Sequence, residues 1–322
     1  MRAVQFARTG GPEVLEVIDV PEPEPKPGQV RVRHQAIGIN FIDTYHRSGL
    51  YPVKLPCTPG GEAAGVVDAV GEGVTRVKVG DRVAYSGGFG AYAQANVVSG
   101  ERVVKIPDGV DTPTAAASLL KGMTVEALLR RTYPVKAGET ILVHAAAGGV
   151  GQIMTQWAKA IGAEVIGCVG NEAKVPLARA HGCDHVLLYK SEDVAARVRE
   201  ITGGAGVRVA YDSVGKASFE ASLKSLGRRG VLVSFGNASG PAPAVEPLTL
   251  SRSGSLYLTR PTLFDYVATT QELDACASAV FEVIRSGQVK IEIGAEYPLR
   301  EIRRAHEALQ SGETTGSQLL IP

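Results

Sequence analysis

The stretch from residue 138 to 162 constrains the fold of this chain more than any other. It opens with an apolar run over 141–143, which predicts a buried strand, and continues with small residues and glycines over 145–151. A helical pattern of apolar residues then starts at Val150, and Gly162 follows it in the position of a C-terminal cap. A strand, a glycine turn and a helix in this order are typical of a dinucleotide-binding fold, in which amides at the helix N-terminus meet a pyrophosphate.

The glycine spacing in this turn is GxGxxG with alanine at the first position, formed by Ala146, Gly148 and Gly151. Gly148 would let the backbone approach the phosphates, and Gly151 would let the helix pack closely on the strand. Such a motif is weak evidence alone, but the strand before it and the helix after it supply the context that it needs. The alternative is an ordinary tight turn that binds nothing.

Length and composition restrict the class of protein. With 322 residues, the chain is long enough for about two domains, and its 44% hydrophobic and 21% charged content is typical of a soluble globular protein. The net charge of +1 gives no reason to expect a nucleic-acid or membrane partner, and no apolar run has the length of a membrane span or a signal peptide. The four cysteines lack CxxC spacing and indicate reduced thiols in a cytoplasmic protein.

The pattern of elements predicts two domains. Up to residue 117, short β segments punctuated by glycine and proline indicate an antiparallel, barrel-like domain. From 118 to 261, strands and helices alternate, which predicts a parallel, doubly wound α/β sheet; Ser191 is the expected N-cap of one of its helices. The remainder, 262–322, returns to helices with a closing strand.

The end of the second strand of the doubly wound domain indicates which dinucleotide binds. In this fold an acidic residue there binds the ribose 2′-hydroxyl of NAD, whereas positive charge in its place accepts the 2′-phosphate of NADP. The strand here ends in Gly170 and Asn171, with Lys174 close behind, although Glu172 also lies within reach. We therefore predict NADPH rather than NADH, with Gly170 leaving room and Lys174 pairing with the phosphate. Tyr189, which ends the third strand, could also reach this phosphate.

Motifs along the whole chain resemble those of the NADPH:quinone oxidoreductases, the zeta-crystallin-like, zinc-free branch of the medium-chain dehydrogenases/reductases. Besides the glycine turn, the matching segments are 38–52 (GINFIDTYHRSGLYP), 60–67 (GGEAAGVV), 119–125 (LLKGMTV), 211–215 (YDSVG), 233–240 (VSFGNASG) and 254–261 (GSLYLTRP). The resemblance implies a GroES-like antiparallel β domain, completed by 262–322, and a Rossmann domain, with NADPH between them. It also implies a homodimer joined through Rossmann-domain edge strands, and hydride transfer to quinones or conjugated enones.

The resemblance also assigns roles to individual residues. Asn40, Asp43 and Tyr45 would line the nicotinamide end, Tyr51 would face the acceptor, and Asn40, Tyr45 and Tyr51 are the catalytic candidates. The other expected cofactor contacts are Phe41 beside Asn40, Lys121 and Thr124 at the ribose and diphosphate, Gly149 and Val150 under the pyrophosphate, and Phe235, Gly236, Asn237 and Ser239 over the carboxamide. Tyr45 and Tyr51 could each hydrogen-bond a quinone oxygen or simply form an apolar wall. No residue stands out as a proton donor, so water would supply the proton.

Comparison with zinc-dependent relatives predicts that no metal binds. Those relatives carry a catalytic cysteine where this chain has Asn40 and a histidine where it has Gly61, and they have a four-cysteine structural loop. Here no cysteine lies between Cys57 and Cys168. His306 lies on the apolar stripe of the last helix, and we expect it to be a buried core histidine.

Two other functions stay open. The same cleft could serve an NADPH-dependent 2-alkenal or enoyl reductase, and sequence does not separate this activity from quinone reduction. Some members of this branch bind RNA, but the near-neutral charge and the lack of a basic stripe argue against nucleic acid as the main partner.

Overall fold

The computed structural model describes residues 1–322 and divides into two compact units. Unit 1 comprises Met1–Met123, Val267–Arg285 and Ile291–Pro322, and unit 2 comprises Thr124–Tyr266 and Ser286–Lys290. The boundaries lie a few residues beyond the expected ones at 117 and 261. The first boundary falls inside a continuous helix, so no turn residue marks it in the sequence.

The strands, in chain order, are β1 (Arg2–Gln5), β2 (Glu16–Asp19), β3 (Gln29–Ile39), β4 (Glu62–Val70), β5 (Arg82–Ser86), β6 (Ala95–Ser99), β7 (Val103–Lys105), β8 (Thr140–Val143), β9 (Glu164–Val169), β10 (His185–Leu188), β11 (Val207–Asp212), β12 (Leu226–Ser234), β13 (Tyr257–Thr259), β14 (Ile293–Pro298) and β15 (Ser317–Ile321). The α-helices are α1 (Phe41–Ser48), α2 (Thr112–Glu126), α3 (Gly149–Ile161), α4 (Val175–Ala180), α5 (Val194–Ile201), α6 (Phe219–Ser225), α7 (Pro247–Arg252), α8 (Leu263–Tyr266), α9 (Thr270–Arg285) and α10 (Ile302–Ser311). A π-helical turn over Ala127–Thr132 continues α2.

Unit 1 is built on a seven-stranded sheet in the order β14-β15-β3-β4-β5-β7, with β6 also paired to β3, and a two-stranded sheet of β1 and β2. All pairs are antiparallel except β14 with β15, which confirms the antiparallel domain. Burial alternates along the first part of β3, which places Val30 and Val32 in the core, where they are fully shielded from water. β14 was not predicted, because its segment IGAEYP contains glycine and proline and has no clear two-residue period of apolar residues.

Unit 2 is a six-stranded, wholly parallel sheet in the order β10-β9-β8-β11-β12-β13. This doubly wound order confirms the Rossmann prediction. The direction of winding reverses between β8 and β11, and ligands of such sheets bind outside the carboxyl ends of the strands at that point. The glycine turn follows β8, so the tertiary fold puts it at the expected ligand-binding edge.

The start of α5 corrects one detail. Ser191 was the expected N-cap, but α5 begins at Val194, and the Asp193 side chain accepts a hydrogen bond from the Ala196 amide at 3.0 Å. Ser191 instead donates its backbone amide to the Leu188 carbonyl at 3.0 Å in the turn before the helix. Both residue types cap helices well, and the turn geometry selects between them.

All four cysteines are unpaired and buried, as expected for structural thiols. None of the helices combines the length and the apolar character that crossing a membrane requires.

Candidate active site

The glycine turn of unit 2 has the geometry that its spacing predicts. Ala145 adopts a left-handed conformation with φ of 52°, Gly148 is extended, and α3 begins at Gly149. A Cβ atom on Gly151 would lie 2.2 Å from the Ala145 carbonyl oxygen and 2.7 Å from the Ala146 Cα, so only glycine allows this approach of helix and strand. The first amides of α3 have no acceptor within the helix, which leaves them available to an anion.

The residues expected at the adenosine end lie together on unit 2. Gly170 follows β9, and Tyr189 follows the neighbouring parallel strand β10. A Cβ atom on Gly170 would lie 3.2 Å from the Tyr189 hydroxyl. Lys174 is half-buried and directly precedes α4, and Asn171 is exposed. The structure thus brings these four residues to one edge of the sheet, and their contact with a 2′-phosphate stays a prediction.

A second loop at this edge follows β12 and contains Phe235, Gly236, Asn237 and Ser239. Backbone hydrogen bonds join it to the loop after β11: the Ser239 amide donates to the Val214 carbonyl at 2.8 Å and the Ala238 amide to the Ser213 carbonyl at 3.2 Å. The Ser239 hydroxyl donates to the Val214 carbonyl and accepts from the Ala217 amide, so it is used inside unit 2. A Cβ atom on Gly236 would lie 2.2 Å from the Ser213 carbonyl, which makes glycine necessary there.

Asp212, for which no role was predicted, meets both loops: its carboxylate bonds the loop after β11, and its backbone carbonyl accepts from the Phe235 amide at 2.8 Å in the loop after β12. Its fully buried carboxylate accepts hydrogen bonds from the Val214 and Gly215 amides at 2.9 and 3.0 Å and from the Ser218 and Ser222 hydroxyls at 2.7 Å. The only signal was its place in the YDSVG segment. A carboxylate with this many donors holds the turn after β11 in one conformation.

In unit 1, Asn40 and Lys121 meet on Glu62, for which no role was predicted. Its Oε2 accepts hydrogen bonds from Asn40 Nδ2 at 2.8 Å and Lys121 Nζ at 3.2 Å, and its Oε1 accepts from the Leu120 amide at 2.6 Å. Glu62 is 0% exposed and Lys121 is 6% exposed. Gly38 makes room for this pair, because a Cβ atom there would lie 2.2 Å from Glu62 Oε2.

Tyr45 and Tyr51 belong to an aromatic cluster in unit 1 that also contains His46 and Phe89. The ring centroids are 5.3 Å apart for Tyr45 and Tyr51, 6.0 Å for His46 and Tyr51, and 4.9 Å for His46 and Phe89, all edge-to-face. Phe89 is 45% exposed on a glycine-rich loop. His46 and Phe89 were not predicted as site residues; the isolated Phe89 in SGGFGAY was the available signal.

The remaining expected residues occupy helix positions. Phe41 opens α1 and packs against the core of unit 1, Thr124 lies half-buried on α2, and Val150 lies half-buried in the first turn of α3. The Asp43 carboxylate is buried inside unit 1, where it accepts a hydrogen bond from the Asn40 amide at 2.9 Å. Cofactor contacts by these four residues stay predictions.

No group of three or more His, Cys, Asp or Glu side chains in the chain is arranged to hold a metal ion. His306 is 0% exposed, and its ring nitrogens lie 2.9 Å from Arg47 Nη1 and 3.1 Å from the Tyr92 hydroxyl oxygen. This confirms that His306 is a buried core histidine with both nitrogens satisfied.

Comparison with known proteins agrees with this architecture. Residues 26–108 match the alcohol dehydrogenase GroES-like domain, and residues 149–281 match the zinc-binding dehydrogenase family. A quinone oxidoreductase of Pseudomonas aeruginosa is 53% identical over 100% of this chain and 99% of that protein. The crystal structure of Escherichia coli quinone oxidoreductase complexed with NADPH matches with a TM-score of 0.98 and 47% identity, covering 100% of both chains.

A 2-haloacrylate reductase of Burkholderia sp is 42% identical over 99% of this chain and 98% of that protein. It is more distant than the Pseudomonas relative. On these full-length matches, and on the two domains that the family models recognise, the chain belongs to the quinone oxidoreductase family.

Proposed function

We propose that this protein is an NADPH:quinone oxidoreductase that works without zinc. The observation that carries the proposal is the match over the whole chain, with a TM-score of 0.98, to a quinone oxidoreductase complexed with NADPH. The glycine turn of unit 2 and the Glu62–Lys121–Asn40 cluster of unit 1 support the proposal.

The residues of unit 2 fit NADPH. The close approach at Gly151 presents the first amides of α3 to a pyrophosphate, with Gly149 and Val150 beneath it. Lys174, Tyr189 and Gly170 form the place for the 2′-phosphate, where a cationic side chain at a helix start favours an anion. When bound, NADPH supplies the hydride.

The residues of unit 1 provide orientation and a surface for the acceptor. The Glu62 carboxylate, itself bonded by Lys121, holds the Asn40 side-chain amide at the N-terminus of α1 and leaves it few alternative conformations. The aromatic cluster offers edge and face surfaces to a flat, electron-poor ring, and the Tyr45 and Tyr51 hydroxyls are the candidates for hydrogen-bonding its carbonyl oxygen. Catalysis then depends on positioning and on exclusion of water, since the cofactor carries the chemistry.

The direct test follows NADPH oxidation with 1,4-benzoquinone, 9,10-phenanthrenequinone and a 2-alkenal as acceptors. We expect the quinones to be reduced fastest, NADPH to be preferred to NADH, and EDTA to leave the rates unchanged. Activity that EDTA abolishes and zinc restores would contradict the proposal.

The second candidate function is reduction of conjugated enones. The observation that favours it is the 42% identical 2-haloacrylate reductase, whose named substrate has a carbon–carbon double bond conjugated to a carboxylate. A kcat/KM for the 2-alkenal above that for both quinones would make this the main activity. We do not propose a nucleic-acid partner, because a net charge of +1 supplies no electrostatic attraction to phosphates.

Lys174 should discriminate between the two nicotinamide cofactors. Lys174→Ala is expected to raise the KM for NADPH about tenfold or more and to leave the KM for NADH nearly unchanged, because a charged hydrogen bond to the 2′-phosphate is lost. Steady-state kinetics with both cofactors measures this. Lys224→Ala removes an exposed lysine on α6 that pairs with Glu220, and serves as the control. Equal effects of Lys174→Ala on both cofactors would refute the assignment.

Tyr51 tests whether the protein supplies a proton to the acceptor. Tyr51→Phe keeps the ring in the aromatic cluster and removes the hydroxyl, so we expect kcat with quinones to fall by less than about tenfold. A matched change, Tyr297→Phe on β14, should have no effect on kcat. A fall of about a thousandfold in Tyr51→Phe would identify a dedicated general acid.

We also propose that the protein is a cytoplasmic homodimer. β13 is the last strand of the parallel sheet, and it carries Tyr257 and Leu258, which are 60% and 37% exposed. An apolar edge strand of this kind favours pairing with a second copy. Sedimentation at micromolar concentration should give the mass of a dimer. Four buried, unpaired thiols suit a reducing compartment.

A further inference from the structure

A chain of hydrogen bonds inside unit 1 connects His306 on α10 to Asn40, the residue that precedes α1. His306 Nδ1 lies 2.9 Å from Arg47 Nη1, and its Nε2 lies 3.1 Å from the Tyr92 hydroxyl oxygen. The Tyr92 hydroxyl donates to Asp43 Oδ2 at 2.8 Å, and the same oxygen accepts from the Asn40 amide at 2.9 Å. All five residues are at most 8% exposed, so water does not compete for these bonds.

The direction of every bond in this chain follows from Arg47. A guanidinium can only donate, so His306 Nδ1 must accept and the ring proton must be on Nε2. Nε2–H then donates to the Tyr92 oxygen, which leaves the Tyr92 proton for Asp43. Arg47 itself is fixed by bonds to the Gly10 carbonyl at 3.2 Å and to Gln310 Oε1 at 2.7 Å.

A second buried tyrosine–histidine pair in unit 1 runs in the opposite direction. His34 Nδ1 lies 2.7 Å from the Ala93 carbonyl oxygen, which can only accept, so the His34 proton is on Nδ1. His34 Nε2 therefore accepts from the Tyr85 hydroxyl at 3.0 Å. Tyr85 is 1% exposed and Tyr92 is 0% exposed, so the two pairs are matched in burial but only one reaches Asp43.

We propose that Tyr92 and His306 are positioning residues: through this hydrogen-bond chain they hold the Asp43 carboxylate against the Asn40 backbone amide, and so keep the Asn40 side chain on the Glu62 carboxylate. This inference rests on the proposed function, because the proposed function is what places Asn40 at the nicotinamide. Tyr92 and His306 touch neither substrate nor cofactor in this proposal.

The protonation of Asp43 responds to this chain. Burial raises the pKa of Asp43 to about 7. The hydrogen bonds from Tyr92 and Asn40 and the nearby Lys121 charge act to lower this pKa, and the Glu62 charge acts to raise it. Burial lowers the pKa of His306 to about 3, and the Arg47 charge lowers it further, so His306 stays neutral at physiological pH. Above pH 7 the ionised Asp43 accepts both bonds; as pH falls below 7 it takes up a proton and the hold on Asn40 weakens. Loss of the Tyr92 hydroxyl should move this change to higher pH.

The experiment compares Tyr92→Phe with Tyr85→Phe, each of which removes one buried hydroxyl and keeps the ring. Two readouts do not depend on turnover: ¹⁵N NMR of the histidine rings reports the tautomers, and ¹³C NMR of labelled aspartate reports the Asp43 titration. NADPH affinity by fluorescence titration and the pH dependence of kcat/KM complete the set. His306→Gln, which retains a donor and an acceptor, is the second variant.

In the wild type, His306 should carry its proton on Nε2 and His34 on Nδ1. Tyr92→Phe should move the Asp43 titration and the acid limb of the kcat/KM profile upward by about one pH unit, and should weaken NADPH binding about tenfold. Tyr85→Phe should change neither the Asp43 titration nor the affinity for NADPH. His306→Gln should retain more NADPH affinity than Tyr92→Phe. A wild-type His306 proton on Nδ1, or equal Asp43 titrations in the two tyrosine variants, would overturn the proposal. Failure of the proposed function would instead appear as an absence of quinone-dependent NADPH oxidation. The NMR measurements would still report on the hydrogen-bond chain in that case.

Discussion

Replacing Lys121 with methionine is expected to lower the free energy of unfolding by about 3–5 kcal/mol, because it leaves a buried carboxylate without its counter-ion. Lys121 Nζ and Glu62 Oε2 are 3.2 Å apart, and their side chains are 7% and 0% exposed. Methionine keeps the length and the apolar stem of lysine, so packing changes little. Chemical denaturation of the purified protein measures the loss, and quinone reduction should fall with it, since Asn40 shares the same carboxylate.

Two further variants separate charge from packing. Lys121→Met combined with Glu62→Gln removes both charges and should recover most of the lost stability, because no unpaired ion then remains in the interior. Lys105→Met breaks an exposed pair with Asp81, in which the lysine is 57% exposed, and should cost less than about 1 kcal/mol. A Lys121→Met protein as stable as Lys105→Met would show that the buried pair does not stabilise unit 1.

Gly151→Ala is expected to lower the free energy of unfolding by about 3 kcal/mol and to weaken NADPH binding about a hundredfold. The added Cβ would lie 2.2 Å from the Ala145 carbonyl oxygen, and backbone cannot move aside as a side chain can. α3 must therefore shift from β8, which moves the amides that meet the pyrophosphate. Denaturation and fluorescence titration with NADPH measure the two effects.

Gly148→Ala is the matched change in the same turn. Its Cβ would approach the Ala145 carbonyl oxygen no closer than 3.3 Å, and Gly148 has φ of −83°, which any residue can adopt. We expect stability close to that of the wild type and a clear loss of NADPH affinity, since the added methyl group lies where the phosphates approach. If both variants lost the same stability, close packing at Gly151 would not be the cause.

Local sequence patterns predicted most of the fold. The strand predicted over 141–143 lies within β8, and the helix predicted from Val150 up to the Gly162 cap is α3, because the spacing of apolar residues matches each element. The strand β14 was not predicted because its apolar pattern is weak. The N-cap of α5 was predicted wrongly because Ser191 and Asp193 are both good capping residues. The unit boundary inside α2 carries no turn residue at all.

The candidate site was predicted less completely. Asn40, Lys121, Tyr45 and Tyr51 came from resemblance to a family, and their neighbours Glu62, His46 and Phe89 were left without roles. No local pattern marks Glu62 or Phe89, because Glu62 meets Lys121 and Phe89 meets His46 across long stretches of the sequence. Asp212 is a different case: its buried carboxylate bonds residues that follow it closely in the sequence, but nothing in the YDSVG segment shows that this side chain is buried.

The sequence by itself determined the order of strands and helices, the glycine turn and the class of dinucleotide fold, since these depend on backbone freedom and apolar spacing over a few residues. Only the tertiary structure decided which polar groups meet in the interior. Lys121 and Glu62 are 59 positions apart, and Tyr92 and His306 are 214 apart. A buried charge or hydroxyl must find a partner once water is excluded, and the folded chain alone determines which partner lies within reach.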